Sequence, residues 1–313
     1  MSNPKKHHYV PQCYLNNFRS FENGHLFALN FKNKGKPKIK EKYPGGICYI
    51  PYYYSLDGDL IFDSIKRPEF YIELKVNQYY ENNFPNLLKN LINQESISID
   101  DATSISDFLI HLKVRNPYQN ILNENSKNIK IKEIANRKYH FMRQTAIDRG
   151  YPLDIFHAIY QNAILRLKNN EKLIKGFQSQ SLIQKYENPY ENNKKFRDAI
   201  LSSSWTLLEN IHDNEYFITT DNPGVAIDNF GTIHNTKFVN GFKFFLPLSP
   251  NHTLEISDSN GIDKPSTTKS IKRKRILPST VSKINKLSSC VASKYLISNS
   301  FETLNKFIND KFP

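Results

Sequence analysis

The sequence predicts an α+β protein with a β-rich N-terminal arm over 1–62, a helical region over 63–202, and an antiparallel sheet with closing helices over 203–313. Three observations predict it. Apolar residues recur at helical spacing through the middle of the chain. Short β-branched and aromatic runs, separated by turn residues, follow residue 203. Gly and Pro punctuate the opening stretch too often for long elements. With 39% hydrophobic residues in 313, the chain has the means to bury a core.

In the arm, the apolar runs His25–Leu29 and Ile47–Tyr54 are strand candidates. Between them Lys32–Lys42 carries Lys at alternate positions and is expected to be a solvated loop. In the helical region, Ile72, Val76, Tyr79, Tyr80, Phe84, Leu87, Leu88 and Leu91 fall on one helical face, with Pro85 inside the pattern as a kink or break. A second helix is expected from Asp100–Asp101, which can cap it, to Arg115, with Pro117 ending it. A third covers Ile129–Ala146, and a fourth follows Pro152. After Ser203, strands are expected at Ser204–Leu208, Tyr216–Thr220, Lys243–Leu248 and Thr253–Ile256. Residues 258–275 read as a polar loop ending in Lys272-Arg273-Lys274-Arg275, followed by a helix at 279–292, a strand at 295–298 and a helix at 301–311.

Net charge is +13 and the sequence pI about 9.4. Such a surface attracts polyanions, so nucleic acid is the expected partner, and Lys272, Arg273, Lys274 and Arg275 are its candidate phosphate contacts. The competing reading of this run is a solvated face. The cysteines, Cys13, Cys48 and Cys290, are odd in number and far apart, against a disulfide framework or zinc ribbon. The opening MSNPKKHHYV has no apolar core of a secretory signal, and no run reaches the apolar length of a membrane-spanning helix, so a cytoplasmic protein without membrane contact is expected. Walker A, GxGxxG, GxSxG, HExxH and HxE…PCxxC patterns are absent, which weakens the ATPase, dehydrogenase, hydrolase, zinc-protease and deaminase readings. Arg149 and His157 stand too far apart for a metal-independent helical ribonuclease.

The densest chemistry lies in His7-His8-Tyr9-Val10-Pro11-Gln12-Cys13-Tyr14-Leu15. A neutral imidazole there can ligate a metal or take a proton. On an extended segment His7 and His8 face opposite ways, so one of them would serve a given site. The alternative is a structural strand anchored by Tyr14, Leu15 and Phe18. In Thr220-Asp221-Asn222-Pro223, Asp221 is either a carboxylate aimed off a sheet end, as a divalent cation needs, or the side chain of an Asx-turn. Glu81 is a helical carboxylate, and Arg115 ends an apolar helix where a cation binds phosphate or pairs with an acid.

HHYVPQCYLNNF resembles the opening signature, HHYVPQxYLxxF, of the mostly bacterial domain-of-unknown-function 4238 family. Further stretches resemble that family's landmarks in order: Tyr80-Glu81, Arg115-Asn116-Pro117, Phe217-Ile218-Thr219-Thr220-Asp221-Asn222-Pro223 and Phe245-Leu246-Pro247-Leu248-Ser249-Pro250. The chain departs from the pattern at Cys13, where Phe is usual, and at Asn116, where a small or hydroxylated residue is. The resemblance spans roughly residues 5–300 and implies a shared fold and site, with a bacterial phage-defence or toxin system as the setting. The motif residues it marks are Tyr9, Pro11, Gln12, Asn222 and Pro223, besides the charged groups above.

Two functional expectations follow. In the first, a nuclease, His7 or His8 is base or ligand, Glu81 and Asp221 hold Mg²⁺ or Mn²⁺, and Arg115 neutralises phosphate charge. In the second, a nucleic-acid-binding or partner-binding module without catalysis, His7, Tyr9, Gln12, Arg115 and Asp221 form a buried polar network. Exposure separates them: a catalytic cluster lines an open cleft, and a structural network is buried and hydrogen-bonded.

Overall fold

The structure, a computed structural model, describes residues 6–20, 22–31, 37–55, 69–117, 139–169, 183, 189–238, 241–258 and 267–311. Contacts divide the chain into two units: Met1–Tyr53 with Lys75–Asn116 and Pro189–Pro313, and Tyr54–Leu74 with Pro117–Asn188. The fold class is the expected α+β.

The first unit contains the sheets. Strand β1 (Lys6–His8) pairs antiparallel with β4 (Tyr49–Pro51), setting His7 opposite Ile50 and His8 opposite Tyr49. Strands β2 (Leu26–Asn30) and β3 (Lys38–Lys42) join β13 (Tyr295–Ser298) and β7 (Thr219–Thr220) in a four-stranded sheet of order β3-β2-β13-β7. The rest form a seven-stranded sheet of order β5-β12-β6-β11-β10-β8-β9. They are β5 (Ser96–Ser98), β6 (Ser204–Asn210), β8 (Val225–Ile227), β9 (Ile233–His234), β10 (Lys243–Ser249), β11 (His252–Ser257) and β12 (Thr268–Ile276). Pairing is antiparallel except between β12 and β6.

Three expectations are corrected. Lys32–Lys42 is not simply a loop: its described part, 38–42, is an edge strand, because alternate residues such as Ile39 turn inward against the Phe301–Lys311 helix. The basic run 272–275 is likewise strand. On β12 Lys269 and Arg273 share one face four residues apart, and each caps the C-terminal carbonyls of a helix. Lys269 Nζ donates to Leu201 O (2.8 Å) and Ser203 O (2.6 Å), and Arg273 donates to Ile92 O and to Gln94 O (3.1 Å). The rest of the expected loop, 259–266, lies outside the described residues. Finally, the strand expected at 216–220 shrinks to Thr219–Thr220. Asn285 takes the ladder's place, accepting from Ile218 N (3.0 Å) and donating to Tyr216 O (2.9 Å), while Phe217 N donates to Pro250 O (2.9 Å).

The helical pattern across 72–91 is three elements: α2 (Tyr71–Val76), a π turn (Asn77–Glu81) and α3 (Phe84–Asn93), with Pro85 in the first turn of α3. Proline is tolerated there because the amide it lacks would be unpaired. Helix α4 runs Ile99–Arg115. Its N-cap is Ser98, not Asp100 or Asp101: Ser98 Oγ accepts from Asp101 N (3.0 Å), and the two acids fill the first turn. It stops where Asn116, extended at φ −67° and ψ 133°, precedes Pro117. Arg197 of the Pro189–Ser202 helix binds Asp107 of α4 at 2.7 Å.

The Pro278–Val291 helix packs Val281, Ile284 and Val291 against Leu208, Phe217, Val225, Phe245 and Ile276. The Phe301–Lys311 helix packs Leu304 and Phe307 against Leu29, Ile218 and Leu296. The closing elements expected at 279–292, 295–298 and 301–311 are therefore present. In the second unit, 139–148 is helical, and the Leu153–Asn169 helix brings His157 and Tyr160 to the Tyr139 ring, with centroids 5.6 and 5.1 Å away. The first part of the helix expected at 129–146 lies outside the described residues. No described helix is long and apolar enough to cross a membrane.

Candidate functional site

The N-terminal motif is held from below by one hydroxyl. Helix α1 (Gln12–Leu15) points Tyr14 inward, fully buried, and its hydroxyl meets Thr219 Oγ1 at 2.8 Å and donates to Pro247 O at 2.5 Å. That contact joins the HHYVPQ, TTDNP and PLSP stretches.

Around it the candidate groups form two neighbouring clusters. The first contains Glu81, Arg115, His8 and Cys13. Arg115 Nη1 donates to Glu81 Oε1 at 2.7 Å, with the side chains 1% and 16% exposed. The π turn carries Glu81 and the end of α4 carries Arg115, so the pair ties two helical segments together. His8 is buried among Tyr49, whose ring lies 5.6 Å away, Gln12 Nε2, 3.4 Å from its Nδ1, and Gly45. Desolvation lowers its pKa from 6.5 to about 4, the positive charges of Arg115 and Lys6 add to this, and the Gly45 carbonyl opposes it. The ring is therefore neutral near pH 7, and its Nε2 has no hydrogen-bond partner among the described residues. The Cys13 thiol is pushed well up by burial and by Glu81, so it is no thiolate nucleophile.

The second cluster surrounds Asp221. Its carboxylate accepts from Ser293 N (2.8 Å), its amide donates to Tyr295 O (3.2 Å), and its carbonyl accepts from Asn116 Nδ2 (2.6 Å). The side-chain turn here is closed by the Thr220 hydroxyl, whose Oγ1 accepts from Asn222 N at 3.0 Å, and not by Asp221 as in the Asx-turn alternative. The Tyr9 phenol bonds Cys48, and the pKa of each is raised by burial and by the Asp221 charge. Cys48 itself sits at φ +56°, a costly backbone region for a side chain with a Cβ, and its carbonyl accepts from Tyr9 N at 2.9 Å. His7, on the other side of β1, is fully buried with the Tyr52 ring 6.4 Å away.

Asn222 and Pro223 lead to a third feature that the sequence did not single out. Lys113 of α4, 3% exposed, donates to Asn222 Oδ1 (3.2 Å), Asn235 Oδ1 (3.0 Å) and Gly224 O. Burial pushes its pKa well below the ordinary lysine value, while the three carbonyl oxygens are the acceptor set an ammonium requires. Asn222 Nδ2 in turn donates to Asn235 Oδ1 and Val291 O, both at 2.8 Å. The available signal was a lysine set between Leu112 and Val114 in an otherwise largely apolar stretch, 108–114.

The structure thus brings His8, Glu81 and Arg115 together, and sets Asp221 against Tyr9 and Cys48. His7 belongs to the opposite face of the β1–β4 pair. The four basic residues of β12 are on another sheet. Of the two carboxylates expected to share a cation, Glu81 is engaged by Arg115 and Asp221 by the Ser293 amide. Among the described residues, no three His, Cys, Asp or Glu side chains form a metal-ligating group. Gln12 lies against Gly45, where an added Cβ would stand 3.1 Å from its Oε1.

A family model, that of a protein of unknown function (DUF4238), matches residues 6–302. No curated protein and no solved structure matches the chain.

Proposed function

For a chain that belongs to the DUF4238 family, we propose a nucleic-acid-binding protein of the reducing cytoplasm whose family motifs form a buried polar network rather than an open reaction centre. The burial and pairing of the motif groups carry this reading. Arg115 is 2% exposed and bound to Glu81, and Asp221 is 2% exposed and bound to the Ser293 amide. Buried charges held in this way fix elements to one another, and removing one partner is costly. The net charge of +13 supports a polyanionic partner, and three free thiols suit a reducing compartment.

A divalent-metal-dependent nuclease of a phage-defence or toxin system is the second reading, and one observation favours it. His8 is a neutral imidazole near the Arg115 charge, and its Nε2, unbonded among the described residues, is a base in the tautomer that carries its proton on Nδ1. One experiment separates the two. Purified protein and its Asp221→Asn and His8→Gln variants are incubated with single-stranded and duplex DNA and RNA, with Mg²⁺ or Mn²⁺ and with chelator, and each is melted in parallel. Binding without cleavage, with the Asp221 variant destabilised, is expected. Metal-dependent cleavage lost in either variant at an unchanged melting temperature would replace the first reading by the second.

A further inference from the structure

Strand β3 is the open edge of the four-stranded sheet, and its lysines fall on one side of it. Directly opposite residues share a face in an antiparallel pair, so the register Lys38↔Asn30, Lys40↔Ala28 and Lys42↔Leu26 places all three lysines on the face of Leu26 and Ala28. Glu41 and Ile39 take the other face, where Ile39 joins the Phe301–Lys311 helix and Glu41 binds His25 Nδ1 at 2.9 Å. None of the three lysines has a carboxylate partner among the described residues, and Lys38 and Lys40 are exposed. The row continues across the sheet: Lys38 stands opposite Asn30, and Asn30 opposite Tyr295. Tyr295 bears on the Tyr9 phenol, and Lys294, its ammonium 5.0 Å from the centre of the Tyr295 ring, acts on Cys48. The lysine row and the motif cluster therefore share one sheet face.

We infer that this lysine ladder is a track for the phosphate backbone of single-stranded nucleic acid, leading toward the Tyr9–Asp221 cluster. The inference rests on the nucleic-acid reading above and names its substrate form. Alternate residues on a strand repeat at about 6.7 Å, close to the separation of successive phosphates along one extended strand. A single row of cations matches one phosphate chain. Lysines at a sheet edge also prevent edge-to-edge pairing, a role that needs no ligand.

The test is fluorescence anisotropy with a labelled oligothymidylate, an RNA of mixed sequence, a DNA duplex and anionic lipid vesicles, each titrated over a range of salt. The wild-type protein is compared with a Lys38→Gln/Lys40→Gln/Lys42→Gln triple variant, and with Lys89→Gln/Lys283→Gln/Lys286→Gln, three exposed lysines outside both basic runs, as a control of equal charge change. For three single-strand phosphate contacts, the slope of log affinity against log salt should fall by about 2 in the triple variant and not in the control. Low-salt affinity should drop by an order of magnitude or more. If the wild type binds a strand but the triple variant keeps its slope, the ladder is wrong and the nucleic-acid reading stands. Preference for duplex or for vesicles overturns the single-strand assignment. No binding to any nucleic acid at low salt overturns both. Should the triple variant aggregate, as an unguarded edge would, Lys40→Gln alone must still lower the slope by about 0.7.

Discussion

Glu81 and Arg115 show how a pair of charges can be mistaken for a reaction centre. As residue types they offer a metal ligand and a phosphate clamp; in place they neutralise each other at 2.7 Å. Replacing Glu81 with Gln leaves the guanidinium without its counter-charge, and we expect a loss of about 3–5 kcal/mol of unfolding free energy in urea titrations. The Glu81→Gln/Arg115→Met double variant should recover much of that loss, because no charge is then stranded; additive losses would contradict the pairing role. His8 gives a pH signature. Its folded pKa, about 4, lies below the ordinary 6.5, so the unfolded chain binds the proton more readily. Its contribution is fully present above pH 6.5 and is lost as pH falls toward 4. The melting temperature should decline across that window in the wild type and less steeply in His8→Phe; parallel curves would refute the assignment. His8, Arg115, Glu81 and Asp221 were all legible as functional types. The acid that pairs with Arg115 could be anticipated; the partners of Asp221 and His8 could not, because the Ser293 amide and the Gly45 carbonyl are backbone groups that no side-chain motif announces.

Strand β12 reverses an ordinary inference about elements. Four consecutive cations read as solvated loop, yet one face of the strand sends Lys269 and Arg273 onto the ends of two helices. Lys269→Met keeps the aliphatic stem and removes the donors to Leu201 and Ser203. It should cost about 1–3 kcal/mol in thermal or chemical denaturation, whereas Lys272→Met on the other face should cost little. The TDNP turn has a second vulnerable element boundary at Gly224. Its φ is +84°, and an added Cβ would come within 2.4 Å of the Phe244 ring. Gly224→Ala should therefore destabilise the protein by more than backbone entropy alone explains, visible as a lowered melting temperature. Elements with a strong internal period, such as α4, the 278–291 helix and β10–β11, were legible in the sequence within a residue or two. The edge strand β3 and the shortened β7 were not. Charge disguises the inward alternation of the first, and the amide of Asn285, remote in sequence, takes over the pairing of the second.

At the scale of the whole molecule, two long-range side-chain hydrogen bonds converge on Tyr14, which reaches 205 positions ahead to Thr219 and 233 ahead to Pro247. Tyr14→Phe preserves the buried ring and deletes both bonds, leaving the Thr219 hydroxyl and the Pro247 carbonyl unsatisfied. A loss of about 1–3 kcal/mol is expected in equilibrium unfolding, and an unchanged stability would show that the join is incidental. The four-stranded sheet obeys the same logic, since β2 pairs with β13 near the far end of the sequence. These long separations govern the order in which the protein can be made. As the chain leaves the ribosome, the HHYVPQ arm can pair with β4 after about forty further residues, but its Tyr14 hydroxyl waits for some two hundred to be translated. During that interval the Tyr14 ring lacks Thr219 and Pro247, and the synthesis of β7 and β10 completes the join. The four-stranded sheet that carries the β3 lysines is likewise closed only once β13 has been translated, so the binding surface proposed for it is assembled late.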